Sequence, residues 1–129
     1  MDLRAHHIGL VVSDLERSLA FYRALGFEVE SELPMEDGSR SITFTRLGDF
    51  RLELFWYAET PEPLAQGETK RVGFRHLALK TDDIVGVVAE LKRQALVGKD
   101  AQVREVLGRY KLLFLHDPDG IEVEIMEET

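Results

Sequence analysis

The sequence predicts an α+β fold made of two βαβββ modules, and three observations support this prediction. First, the 21 residues that begin at His7 align without gaps on those that begin at His76, at an offset of 69 residues. Second, each copy has the pattern of a strand followed by an amphipathic helix. Third, apolar or alternating runs that are typical of strands follow each helix. The repeat therefore accounts for most of the chain.

The aligned positions of the two copies share their chemistry, which argues against chance similarity between two strand–helix units. Identical or similar residues meet at His7 and His76, Leu10 and Leu79, Asp14 and Asp83, Leu15 and Ile84, Leu19 and Val88, and Ala20 and Ala89. Each copy is thus expected to begin with a strand and to continue as a helix.

The two predicted helices have recognisable ends. Ser13 followed by Glu16 matches a capping box at the start of the first helix, and Gly26 is expected to end it. Asp82 or Asp83 is expected to open the second helix. Apolar residues recur at helical spacing, at Leu15, Leu19, Tyr22 and Leu25 in the first helix and at Ile84, Val87, Val88 and Leu91 in the second.

Three strands are predicted after each helix. They are Phe27–Glu32, Ser41–Leu47 and Arg51–Tyr57 in the first module, and Val103–Val106, Lys111–Leu115 and Ile121–Met126 in the second. Module one is expected at about residues 5–57 and module two at about 73–127, with a surface linker at about 58–72 that contains Pro61, Pro63 and Gly67. The 129 residues are expected to form a single domain.

Composition excludes several classes of protein and site. The chain has no cysteine, which excludes disulfides and thiolate ligands and leaves His, Asp and Glu as the strong metal ligands. A net charge of −8 argues against nucleic-acid binding. No apolar run approaches the roughly 18 residues of a membrane span, and the N-terminus lacks the pattern of a secretory signal. We expect a cytoplasmic protein with a small-molecule partner.

Strand alternation places four ligand-type side chains at equivalent positions. If the large aliphatic residues of each strand face the helix, then His7 and Glu53 share the opposite face in module one, as His76 and Glu124 do in module two. A carboxylate among large aliphatic residues is costly to bury unless a cation compensates its charge. The sequence therefore predicts a divalent metal site of these four residues, for which Ni, Co, Zn, Mn and Fe are all compatible.

Other residues near the predicted ligands have less specific interpretations. Gly9 and Ala78 are small and share the ligand face, so we expect them to leave room for a bound molecule. For a lone histidine, a satisfied hydrogen bond would be the simpler explanation, but four repeat-related positions favour a metal. His6 and His116 have no repeat partner and are interpreted as a strand-start residue and a turn residue.

Four stretches of the sequence identify a family. They are HHIGLVVSDLERSLAFYRALGF at 6–27, RLELF at 51–55, FRHLALKTDDI at 74–84 and HDPDGIEVEI at 116–125. With them the chain resembles the vicinal oxygen chelate superfamily, which includes glyoxalase I, the bleomycin and fosfomycin resistance proteins, methylmalonyl-CoA epimerase and the extradiol dioxygenases. The resemblance implies a curved, partly open eight-stranded sheet around a central cleft, and the same four metal positions. It also implies a homodimer, whose metal sites can combine one module from each subunit.

The second metal position indicates the nearest members of this superfamily. Glu53 resembles glyoxalase I of the short bacterial type, because epimerases usually carry Gln there and extradiol dioxygenases generally lack a ligand. The resemblance implies a metal-dependent, lactoylglutathione lyase-like isomerase, which acts on vicinal oxygens through an enediolate. Glu124, or less favourably Glu53, would be its general base. Val11 and Tyr57 stand where such glyoxalases carry the Arg and Asn that hold glutathione, so glutathione is not indicated.

Two other functions are also compatible with the sequence. The first is a non-catalytic protein of the bleomycin-resistance type, which binds a hydrophobic compound and needs no metal. Aromatic residues that could favour an apolar ligand, although such residues are more often core, are Phe44, Phe55, Trp56 and Tyr110. The second is a metal-dependent dioxygenase, which the fourth ligand disfavours.

Overall fold

The structure, a computed structural model, describes residues 1–59 and 72–129. The chain divides into two compact units, Met1–Leu64 and Ala65–Thr129. The described residues of each unit form one helix and four strands in the order βαβββ, so the predicted α+β class and the two modules are confirmed. The linker predicted at about residues 58–72 lies almost wholly outside the described residues.

The first unit is a four-stranded sheet with one helix. Its elements are β1 (His7–Val12), α1 (Leu15–Ala24), β2 (Glu28–Pro34), β3 (Arg40–Leu47) and β4 (Phe50–Tyr57). The strand order is β1-β4-β3-β2, in which β1 runs parallel to β4 and the other neighbours are antiparallel. The first and last strands of the unit are therefore hydrogen-bonded to each other.

The second unit repeats this topology. Its elements are β5 (Leu77–Lys80), α2 (Ile84–Arg93), β6 (Arg104–Val106), β7 (Tyr110–His116) and β8 (Glu122–Glu128). The strand order is β5-β8-β7-β6, again with its first and last strands parallel and adjacent. All six strands predicted after the helices are present, with ends within two residues of the prediction.

The core of each unit lies on the sheet face that was predicted to be apolar. In the first unit the buried residues include Val12, Leu52 and Leu54 of the sheet and Leu19 and Tyr22 of α1. In the second unit they include Leu77, Val123 and Ile125 of the sheet and Ile84, Val88 and Leu91 of α2. Neither of the helices in the described residues is long and apolar enough to cross a bilayer.

The start of α1 differs from the prediction by one residue. The N-cap is Asp14 and not Ser13, since the Asp14 carboxylate accepts a hydrogen bond from the Arg17 amide at 3.1 Å. In α2 the Asp83 carboxylate accepts from the Gly86 amide at 2.9 Å in the same way. A carboxylate satisfies an unpaired amide and also interacts favourably with the positive end of the helix dipole. The repeat alignment, which matches Asp14 with Asp83, was the better guide to the cap.

Candidate metal centre

The first unit brings His7 and Glu53 together. β1 and β4 are parallel neighbours with Gly9 opposite Glu53, so His7 lies two residues along β1 on the same face. The Nε2 atom of His7 is 2.7 Å from an oxygen of Glu53. Glu53 is only 9% exposed, although it is charged, and it alternates with the fully buried Leu52 and Leu54. The imidazole is thus the polar partner of a nearly buried carboxylate.

The second unit repeats this pair with His76 and Glu124. Ala78 of β5 lies opposite Glu124 of β8, and His76 directly precedes β5. The Nε2 atom of His76 is 2.9 Å from an oxygen of Glu124, which is 8% exposed. Each unit therefore joins the two residues that strand alternation had placed on one face.

A phenylalanine ring lies against each of these histidines. Phe44 of β3 is opposite Glu53 and meets the His7 ring edge to face, with centroids 5.3 Å apart. Phe114 of β7 is opposite Glu124 and meets the His76 ring with centroids 5.5 Å apart. Phe114 was not predicted as a site residue, and the repeat offset of 69 residues would have matched Phe44 with Leu113 instead. The two rings shield one side of each imidazole from water.

The other ring nitrogen of each histidine has a different neighbour. His7 Nδ1 is 2.8 Å from Nδ1 of His6. His76 Nδ1 is 3.4 Å from an oxygen of Glu122, a residue of β8 whose side chain is 16% exposed. The strand position opposite His7 is occupied by Arg51. The two units therefore share the imidazole–carboxylate pair but differ in the residue that lies next to Nδ1 of each histidine.

Arg51 forms an ion pair away from the histidine. Its guanidinium donates two hydrogen bonds to the Glu30 carboxylate, at 2.9 and 3.3 Å. These bonds hold the pKa of Glu30 below its ordinary value and raise the pKa of Arg51. The charge of Arg51 is thus engaged with an exposed carboxylate of β2.

Some residues near the pair have roles other than those predicted. A Cβ atom added at Gly9 would lie 3.2 Å from the Phe55 ring, so Gly9 makes room for Phe55 and not for a bound molecule. Trp56 projects from the face of β4 opposite to Glu53, because side chains alternate along a strand. His116 ends β7 opposite Glu122 and does not lie in a turn.

The remaining aromatic residues named from the sequence lie in separate places. Phe55 stacks on Tyr57, with ring centroids 6.4 Å apart and planes inclined by 8°. Tyr110 begins β7, where the Arg109 guanidinium lies 5.4 Å from its ring centroid. Of the four aromatic residues predicted near a ligand, Phe44 is the one in contact with a candidate metal ligand.

The donor set of the two pairs fits a divalent metal ion. The described residues contain no group of three or more His, Asp or Glu side chains arranged to hold an ion. Nitrogen and oxygen ligands lie about 2.0–2.2 Å from such an ion, so two ligands at right angles are about 3 Å apart. The observed distances of 2.7 and 2.9 Å are close to that spacing.

Comparison with known proteins identifies the family. Residues 4–125 match the Glyoxalase/Bleomycin resistance protein/Dioxygenase superfamily. The chain therefore belongs to this superfamily, and the resemblance inferred from its sequence motifs is confirmed.

Three relatives illustrate the range of similar proteins. The human mitochondrial methylmalonyl-CoA epimerase is 29% identical over 127 residues, which cover 95% of this chain and 72% of the epimerase. The lactoylglutathione lyase of Pseudomonas putida is 29% identical over 149 residues, which cover 96% of this chain and 84% of the lyase. The crystal structure of the glyoxalase family protein from Enterococcus faecalis superimposes with a TM-score of 0.80 at 30% identity, covering 96% and 97% of the two chains.

Proposed function

We propose that the protein is a metal-dependent lyase or isomerase of the glyoxalase I type. It would move a proton at a carbon next to a carbonyl group, in a small substrate with vicinal oxygens. The observation that carries this proposal is the repeated imidazole–carboxylate pair, with N···O distances of 2.7 Å in one unit and 2.9 Å in the other. The similarity to the Pseudomonas putida lactoylglutathione lyase supports it.

The proposed metal ligands are His7, Glu53, His76 and Glu124, in a protein that we expect to form a homodimer. Ni, Co, Zn, Mn and Fe all suit two imidazoles and two carboxylates. When bound, the ion would act as a Lewis acid toward the adjacent oxygens of the substrate. The burial of Glu53 and Glu124 supports this assignment, because a shielded carboxylate requires a compensating charge.

Glu124 is the proposed general base, with Glu53 as its counterpart. Glu124 is 8% exposed, so water has little access to its carboxylate. A base that is shielded from water can return the proton it removes to the neighbouring carbon before that proton exchanges with solvent. Burial of the carboxylate therefore suits an internal proton transfer.

A second candidate function is the epimerisation of a thioester. The 29% identity to the human methylmalonyl-CoA epimerase over 127 residues favours it. Inverting a carbon centre requires removal of a proton on one face and its return on the other, and a carboxylate from each unit could supply both bases. Glu53 favours the isomerase, since a second metal-ligating carboxylate resembles the short bacterial glyoxalases.

Metal content and a substrate screen test these proposals together. The purified protein is expected to hold a divalent metal in stoichiometric amount, and to lose activity on chelation and regain it on readdition. The screen covers hemithioacetals of several thiols, and methylmalonyl-CoA in deuterated water. His76→Asn is expected to abolish metal binding, whereas the matched control His116→Asn, at the end of β7, is expected to retain it.

Three other outcomes of this experiment would each favour a different function. A folded protein that binds no divalent ion would contradict the proposed enzyme and favour the non-catalytic binding protein. Oxygen consumption with catechols would favour the dioxygenase. Deuterium incorporation into methylmalonyl-CoA, without turnover of any hemithioacetal, would favour the epimerase.

A further inference from the structure

Glu122 of the second unit has a carboxylate oxygen without a hydrogen bond. Its Oε1 atom is buried and has no hydrogen-bond partner among the described residues. Nδ1 of His76 lies 3.4 Å from it and Nε of Arg75 lies 3.8 Å from it. The Arg75 side chain is more than half exposed, whereas that of His76 is about one-quarter exposed. The imidazole is therefore the better-shielded donor for this oxygen.

When Nε2 of a neutral imidazole binds a metal ion, the ring proton lies on Nδ1, and Nδ1 of His76 is 3.4 Å from that oxygen. A buried carboxylate oxygen without a donor is unfavourable, and this proton would offer it one. The opposite nitrogen, Nε2, faces Glu124 at 2.9 Å and is the one that would bind a metal. Metal-ligating histidines commonly donate their second N–H to a carboxylate, which orients the ring and strengthens the ligand.

We propose that Glu122 is a positioning residue for His76. Its carboxylate lies next to Nδ1 as the acceptor for the ring proton when Nε2 binds the metal, and it thereby keeps Nε2 directed toward Glu124 and the metal. This inference rests on the metal site of the proposed function. It assigns to Glu122 a role that neither the metal ligands nor the general base includes, since Glu122 acts only through the imidazole.

The first unit lacks this arrangement, which makes the proposal specific to His76. Arg51 lies opposite His7 on β4, two residues before Glu53, as Glu122 lies two residues before Glu124 on β8. Arg51 cannot accept a hydrogen bond from an imidazole, and its guanidinium pairs with Glu30. His7 Nδ1 faces the ring of His6 instead. His7 thus serves as an internal reference in any variant of Glu122.

The first measurement is the affinity for Zn²⁺, determined by competition with a chelating dye. Glu122→Leu is expected to weaken binding by about 10- to 100-fold, the usual effect of losing such a partner. Glu122→Gln keeps an acceptor oxygen and is expected to lose less. The matched control Glu128→Gln removes a carboxylate of the same strand that pairs with Lys80, and it is expected to change affinity by no more than about twofold.

The second measurement is the solvent exchange rate of the His76 Nδ1 proton in the Zn²⁺-loaded protein, read from ¹H–¹⁵N spectra of the ring. A nuclear Overhauser contact with the Phe114 ring, which lies against His76, assigns the signal. Loss of the Glu122 acceptor in Glu122→Leu is expected to speed this exchange by about tenfold. The His7 ring proton is expected to exchange at the same rate in both proteins.

The two measurements separate failure of this inference from failure of the proposed function. An unchanged exchange rate of the Nδ1 proton and unchanged Zn²⁺ affinity in Glu122→Leu would overturn the inference. If the unsubstituted protein binds no Zn²⁺, the proposed function and this inference both fail, whereas Zn²⁺ binding that Glu122→Leu leaves unchanged overturns the inference alone. Should the Leu variant not fold, equal affinities of Glu122→Gln and Glu128→Gln would overturn the inference.

Discussion

The two units hold the same imidazole–carboxylate pair but support the imidazole in different ways. His7 and His76 face Glu53 and Glu124 at 2.7 and 2.9 Å. Behind the pair, His7 contacts another imidazole, whereas His76 contacts the carboxylate of Glu122. Strand pairing preserves the pair, because a shift of one residue would turn both side chains to the other face of the sheet. The residues next to Nδ1 of each histidine can differ between the units without changing the fold.

This comparison indicates that the two pairs are not chemically equivalent. The Glu122 carboxylate next to Nδ1 of His76 would orient that ring and favour its use as a ligand. Next to Nδ1 of His7 lies the ring of His6, and two facing ring nitrogens must share one proton between them. The second unit is therefore expected to be the better-organised half of the proposed centre. Four comparisons of matched variants test how the two units differ.

The largest expected effect concerns the two carboxylates. Glu124→Gln is expected to retain the circular dichroism spectrum of the folded protein and to lose turnover by at least about 100-fold, because the amide cannot accept the substrate proton. Glu53→Gln is expected to lose less, since its role is mainly that of a ligand. Steady-state kinetics on the substrate found in the screen measures both. Unchanged turnover in Glu124→Gln would remove Glu124 as the base.

The next largest effect is expected on the free energy of unfolding when either histidine is replaced. In metal-free protein, His7→Ala and His76→Ala are each expected to lower the free energy of unfolding by about 1–3 kcal/mol, since each leaves a shielded carboxylate without its partner. The loss is expected to be larger for His76, which faces both Glu122 and Glu124. Urea unfolding measures the difference, and the reverse order would contradict it.

A smaller effect on stability is expected when the N-cap residue of either helix is replaced. Asp14→Ala and Asp83→Ala are each expected to destabilise the protein by about 0.5–2 kcal/mol. The cost is expected to be lower for Asp83, because Glu127 also accepts a hydrogen bond at that helix end, from the Ile84 amide at 2.7 Å. Adding Glu127→Leu to Asp83→Ala, which removes this acceptor, should remove the difference. Equal losses in the two single variants would show that Glu127 does not contribute.

The smallest effect compares two exposed carboxylates during acid titration. The hydrogen bond from Arg51 lowers the pKa of Glu30, and hydrogen bonds from Arg93 and Gln94 lower the pKa of Glu90 to about 2. Both carboxylates are stronger acids in the folded protein, so they stabilise it above their ordinary pKa of 4.5, and this contribution disappears as the pH falls through the lowered values.

Carboxyl chemical shifts recorded during this titration test the assignment. Glu30 is expected to take up its proton before Glu90 as the pH falls. Arg51→Leu is expected to return the pKa of Glu30 toward its ordinary value and to leave that of Glu90 unchanged. A Glu30 titration that is insensitive to Arg51 would contradict the attribution.

The sequence by itself determined the repeat, the order of the elements and the faces of the strands. Side chains alternate along a strand, and the large aliphatic residues mark the face that the helix covers, so the sequence places His7 on one face with Glu53, and His76 with Glu124. The strand ends were predicted to within two residues because turn residues and alternating runs are local signals. The assignment of the four residues as metal ligands remains a prediction.

Only the tertiary structure decided what surrounds each pair. Phe114 and Glu122 lie beside His76 because β7, β8 and the start of β5 are brought together in one register, although they are far apart in the chain. For the same reason, the Phe55 ring occupies the space next to Gly9 that a side chain there would fill. Such contacts depend on cross-strand register and side-chain rotamers, which arise from the packing of the whole unit and leave no local signal in the sequence.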